Sequence, residues 1–153
     1  MIENKKLNLS VNKKGYVSEI TIKNDPYKMN WVIEDTYLKQ ADYQDSDKLF
    51  GLFDITADGE KTESQKVQPV IKEEKNSVKI SYDFAKIKVR ILYDLGTNDE
   101  ALFWKIELEN CTEKKIQIEE FGIWASFAYV MFRDKNVLRN IHNSAAVFPS
   151  IST

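Results

Sequence analysis

Trp104, Ile106 and Leu108 alternate strictly with Lys105, Glu107 and Glu109. Successive side chains of a strand point to opposite faces, so this run specifies a strand with one buried face and one wet face. A helix would scatter the same residues around its circumference. After the polar Asn110-Cys-Thr-Glu-Lys-Lys115, the alternation resumes at Ile116 and Ile118, and the stretch 102–127 reads as a hairpin. The same rhythm recurs along the chain. Leu7, Leu9 and Val11 lead through the turn Asn12-Lys-Lys-Gly15 to Tyr16, Ser18, Ile20 and Ile22. Val78, Ile80, Tyr82 and Phe84 form another set, followed by Ile87, Val89, Ile91 and Tyr93. With Val67–Glu73 before them and the hairpin after them, these segments read as an antiparallel meander with one face buried. The expected fold is an all-β antiparallel sandwich, one domain over residues 1–153.

Between the strands the signals are weaker. Lys23-Asn-Asp-Pro26 ends the second strand, because proline removes a ladder donor. Tyr27–Ile33 reads as a short extended piece, and Glu34–Lys48 as a long polar loop of the kind that often carries function. Leu49–Ile55 reads as a strand in which Gly51 marks a bulge or a close backbone approach. Thr56–Gln65 reads as a polar loop around Asp58-Gly59, and Pro69 points to an edge position or a kink for the strand Val67–Glu73. Val137, Leu138 and Ile141 fit one helix face capped by Asp134, or a strand over 136–141; the strand suits its neighbours better. Ala145–Ile151 reads as one more strand, although Pro149 interrupts it.

Composition narrows the function classes. A hydrophobic fraction of 42% with 30% charged residues suits a folded, water-facing domain. A net charge of −2 gives no global field for nucleic acid or an anionic membrane. The longest apolar run, Phe121–Phe132, is too short to span a bilayer. No apolar core follows Met-Ile-Glu-Asn-Lys-Lys, so the chain as it stands reads as cytoplasmic, or extracellular if a leader has been removed.

Most reactive chemistry lacks its parts. One His and one Cys cannot complete a zinc sphere, and Cys111 reads as a free thiol in a turn. Asp42, Asp45 and Asp47 lack the spacing and the glycine of a helix-loop-helix calcium loop. No Gly-x-Ser-x-Gly elbow or phosphate-cradling glycine loop is present, and no cofactor is implied. Glu73-Glu74 and Glu119-Glu120 are adjacent along strands, so each pair is expected to point to opposite faces, which is poor for a carboxylate dyad. Asn8-Leu-Ser10 and Asn110-Cys-Thr112 match the glycosylation sequon, which carries meaning only in a secreted chain. Aromatics are the surplus: three Trp, seven Tyr and eight Phe. Most belong to a core, but Trp31 and Trp124 border irregular segments, where an exposed ring can stack on the C–H face of a sugar.

Four stretches carry a family resemblance. Asn12-Lys-Lys-Gly15-Tyr-Val-Ser-Glu-Ile20 with Asp25-Pro-Tyr-Lys-Met-Asn-Trp31-Val resembles the opening of galactose-mutarotase-like super-sandwich domains, which precede helical glycosidase-like domains in certain bacterial proteins. Trp104–Thr112 through Ile116-Gln-Ile118 is similar to the strand-Asn-x-Thr-strand hairpin of that group, and Arg139-Asn-Ile-His142 with Ser144 and Phe148 to a later polar strand. The resemblance implies a carbohydrate-associated sandwich. Mutarotases use two histidines and a glutamate, whereas this chain has one His, so ring-opening epimerisation by that route is not expected. The chain is also shorter than a complete super-sandwich and has no helical domain, where the catalytic acids of such hydrolases lie.

Three functions follow as expectations. The first is a non-catalytic domain that binds glycan weakly or braces a catalytic partner domain, with Trp31, Tyr43 and Trp124 stacking and Arg139 and His142 bonding hydroxyls. The second is a glycan-processing enzyme in which His142 acts as acid or base beside Glu120 or Asp35. The third is a structural role, with exposed strand edges pairing to a second copy or a missing half.

Overall fold

The structure, a computed structural model, describes residues 1–32, 49–97 and 101–127. These residues form an antiparallel all-β sandwich of ten strands and one short 3-10 turn at Ser64–Lys66. The expected loop at 34–48 and the expected strands at 136–141 and 145–151 lie outside the described residues.

One layer is the meander. Strands β6 (Val70–Glu73), β7 (Ser77–Asp83), β8 (Ile87–Asp94) and β9 (Phe103–Asn110) pair in that order. Their registers align Ile71, Ile80, Ile91 and Ile106 in a single row across the sheet. Val78, Tyr93 and Trp104 form the next row on the same face, and Tyr82, Val89 and Leu108 a third. The alternation that set the parity of each strand therefore also produces one continuous apolar face.

The other layer holds two three-stranded sheets. Strands β1 (Ile2–Glu3), β2 (Leu7–Val11) and β3 (Val17–Ile22) make the first. Strand β4 (Phe53–Ala57) lies between β5 (Glu60–Glu63) and β10 (Ile118–Ile123) in the second. Single bridges join the two: Thr21 pairs with Asn30, and Val32 pairs with Phe127. The Val17 amide also donates to the Phe50 carbonyl at 2.8 Å. Ile2, Leu7, Leu9, Val17, Phe53 and Ile55 from this layer share one core with the inner face of the meander. Phe53 ties the layers together by meeting Tyr82 edge-on at 4.9 Å, and within its own sheet it stacks on Phe121 at 5.4 Å.

Three expectations are corrected. Residues 102–127 do not form a hairpin, because among the described residues β9 pairs with β8 alone while β10 pairs with β4 in the other layer. Residues 111–117 are long enough to cross the roughly 10 Å between stacked sheets. The start of the crossing is fixed by Asn110, whose side chain accepts from the Thr112 amide and donates to the Lys114 carbonyl, both at 2.8 Å. Thr56–Gln65 is not a plain loop: Asp58 and Gly59, with φ of 48° and 77°, close a two-residue turn between β4 and β5. Leu49–Leu52 is a turn rather than the start of a strand, with the Leu52 amide donating to the Leu49 carbonyl. Gly51 makes its close backbone approach there, bonding the Trp124 carbonyl at 2.8 Å.

Candidate functional site

The outer face of the β5-β4-β10 sheet follows from strand parity. Phe53, Ile55, Phe121 and Ile123 point inward, so Asp54, Thr56, Glu120, Gly122 and Trp124 lie on the opposite face. Lys61 and Glu63 join them, since Lys61 sits across from Thr56 and Glu63 across from Asp54. Trp124 is 37% exposed at the end of this row. Its backbone prolongs the ladder, with its amide donating to Leu52 at 2.9 Å and its carbonyl accepting from Gly51.

Gly122 lies between Glu120 and Trp124 on that face and directly opposite Asp54. A β-carbon at Gly122 would fall 2.8 Å from a carboxylate oxygen of Asp54. The missing side chain is thus what leaves room for the Asp54 carboxylate beside the β10 backbone. Lys61 bridges to that carboxylate at 2.6 Å. This hydrogen bond, with the charge of Asp54 behind it, raises the Lys61 pKa above the ordinary lysine value, and Glu63 and Glu120 add to the effect. The patch offers an aromatic ring at one end and, beside Gly122, a carboxylate–ammonium pair able to accept and donate hydrogen bonds.

Trp31 lies on the same layer but apart from Trp124. Val32 belongs to the core, so its neighbour Trp31 points away from it, half-buried. In the antiparallel bridge between Val32 and Phe127, the two tryptophans fall on opposite sides of the bridge. They are offset by four positions, about 13 Å along the strand direction. The Trp31 indole nitrogen is buried without a hydrogen-bond partner among the described residues. Tyr43, Arg139 and His142 lie outside the described residues, as do Asp35 and the acidic residues Asp42, Asp45 and Asp47.

The carboxylates expected to point apart have separate partners. Glu119 sits at an irregularity of β10, where both its carboxylate oxygens accept from the Gly59 amide at 3.1 Å, whereas Glu120 lies across from Thr56 on the outer face. Glu73 accepts from the N-terminal ammonium. Among the described residues no group of three His, Cys, Asp or Glu side chains is placed to hold a metal ion. Cys111 is exposed and free. No helix among the described residues is long and apolar enough to cross a membrane.

Asp54, Lys61 and Gly122 were not singled out by the sequence. Their parity was readable from Phe53-Asp-Ile-Thr-Ala57 and Phe121-Gly-Ile123, but their neighbourhood depends on β10 pairing with β4, which nothing local announces. No family model, curated protein or solved structure matches this chain.

Proposed function

We propose that this chain is a non-catalytic, carbohydrate-associated sandwich domain of the galactose-mutarotase-like super-sandwich type, from a bacterial glycoside-hydrolase-like protein, which binds glycan weakly or braces a catalytic domain. The observation that carries the reading is the exposed Trp124 ring on the same face as Gly122 and the Asp54–Lys61 pair. A pyranose presents an axial C–H face and a rim of hydroxyls. The indole face suits the first, and a carboxylate with an ammonium suits the second. A shallow, open patch of this kind favours weak binding, because little of the sugar leaves water.

Isothermal titration against a panel of neutral and acidic oligosaccharides tests it, run on the wild type, Trp124→Ala and Asp54→Asn. Binding by the wild type that falls at least tenfold in Trp124→Ala, with the unfolding midpoint retained, supports the reading. Equal affinity in all three proteins, or no binding to any oligosaccharide at millimolar concentration, rejects glycan recognition at this patch.

A further inference from the structure

The meander has two edges of unequal character. β6 is four residues long, follows Pro69 and has the N-terminal ammonium bonded to its Glu73, features that discourage pairing. β9 is eight residues long, contains neither Pro nor Gly, and pairs on one side only among the described residues. Phe103 and Leu108 on it are 56% and 43% exposed.

We propose that the edge of β9 is a homodimer interface, in which a second copy of the chain adds its own β9 antiparallel about a two-fold axis at Ile106. The sequence of the strand selects this register. With Ile106 facing Ile106 of the partner subunit, Lys105 faces Glu107 of the partner subunit and Glu107 faces the partner's Lys105. Trp104 and Leu108 meet across the axis on the inner face, and Phe103 lies across from Glu109. No like charges stand opposite one another. Moving the axis one position toward the N-terminus sets Lys105 against its own copy, and one position toward the C-terminus sets Glu107 against its own copy. Directly opposed like charges destabilise a pair, whereas opposed Lys and Glu stabilise it.

The rest of the sheet agrees with this register. Lys72, Lys79, Leu92 and Lys105 lie in one row of the outer face, and the partner subunit's Glu107 would extend that row beside the pair Lys105 already makes with Glu107 of its own strand at 2.7 Å. On the inner face, the row Ile71–Ile80–Ile91–Ile106 would continue into the same row of the second copy. The half-exposed Leu108 would gain the Trp104 ring as a cover. An isologous contact of this kind closes on itself and leaves no further β9 edge open.

Sedimentation velocity from micromolar to near-millimolar concentration tests the proposal on the whole chain. The wild type is expected to pass from monomer to dimer. Glu107→Lys places lysine against lysine and should weaken the dimer at least tenfold, and the swapped variant Lys105→Glu/Glu107→Lys should restore it. Ile106→Cys in a Cys111→Ser background should form an intermolecular disulfide under mild oxidation, because opposed β-carbons lie about 4.5–5.5 Å apart. A wild type that stays monomeric throughout, a dimer indifferent to Glu107→Lys, or the absence of the Ile106→Cys crosslink would each overturn it. The glycan patch lies in the other layer, so its titration reports independently.

Discussion

The hydroxyl of Tyr82 lies 1.9 Å from the point a β-carbon on Gly15 would occupy. Gly15 holds φ at +90°, and Gly51, at +89°, leaves the same kind of space for the hydroxyl of Tyr93, 2.3 Å from its own β-carbon position. Tyr82 and Tyr93 stand in different rows of the meander, yet their hydroxyls reach two neighbouring backbone turns of the opposite layer. Two residues without side chains are therefore what allow Tyr82 and Tyr93, the two largest fully buried side chains among the described residues, to cross the sandwich.

Gly15→Ala should destabilise the fold by about 3 kcal/mol or more, through a left-handed backbone and a forced clash together. Urea unfolding reads this as a lower midpoint at unchanged slope. The clash needs the hydroxyl, so the Gly15→Ala loss should shrink in a Tyr82→Phe background while the backbone part persists. Equal losses in the two backgrounds would remove Tyr82 from the explanation.

Neither hydroxyl has a hydrogen-bond partner among the described residues. A buried unsatisfied donor carries a desolvation cost, so Tyr82→Phe and Tyr93→Phe should each be neutral or stabilise by about 1 kcal/mol. Burial also raises both phenol pKa values above the ordinary 10.0, and Tyr93 is raised further by the charge Tyr82 would carry. Above that pH the unfolded chain loses these protons while the folded chain keeps them. Their titration therefore leaves folding stability unchanged below pH 10.0 and lowers it as pH rises beyond that value, by up to about 1.4 kcal/mol per pH unit for each tyrosine. Unfolding midpoints measured on either side of that value should drop for the wild type and drop less for each Phe variant. Parallel curves for all three would refute the assignment.

Asn30 is the polar staple that ties the short piece after β3 to its edge. Its Oδ1 accepts from the amides of Ile20 and Val32 at 3.0 and 3.2 Å, and its Nδ2 donates to the Ser18 carbonyl at 2.9 Å. Asn30→Ala leaves these groups without that partner in a buried place and should cost about 3 kcal/mol. Asn30→Asp keeps the acceptor but sets a carboxylate against the Ser18 carbonyl, so it should not restore stability. Thermal melts of the pair decide the matter; a melt unchanged in Asn30→Ala would contradict the role.

Asp58 clamps the start of β10 from the tip of the β4–β5 turn. Its carboxylate accepts from the Gln117 amide and its own amide donates to the Gln117 carbonyl, both at 3.0 Å. Asp58→Ala should cost about 1 kcal/mol and speed hydrogen exchange at Gln117 before it affects the centre of β8. Uniform acceleration across both sites would mean that the turn is coupled to global unfolding instead.

Strand parity was legible in the residues. Trp104 and Ile106 face the core beside Ile91 and Tyr93, as the alternation with Lys105 and Glu107 requires. The meander from Val70 to Asn110 was legible too, because short turns between alternating runs leave a strand only its neighbour to pair with. Asp58-Gly59 carried a hairpin signal in full view, but the polar strand β5 beyond it has no apolar face to announce itself. Of the expected glycan contacts, Trp124 is exposed on the outer face beside Gly122 and the Asp54–Lys61 pair, and Trp31 stands about 13 Å from it along the strand direction.

By itself the sequence determined which side of each strand is buried, since period two is a local property of the chain. Only the tertiary structure decided that Ile118–Ile123 leaves Phe103–Asn110 and joins Phe53–Ala57 across the sandwich. An apolar face states that it must be covered, not what covers it. The pairing of Gly122 with Asp54, and of Gly15 with Tyr82, comes from that choice: each glycine is informative only once the side chain that fills its space is known.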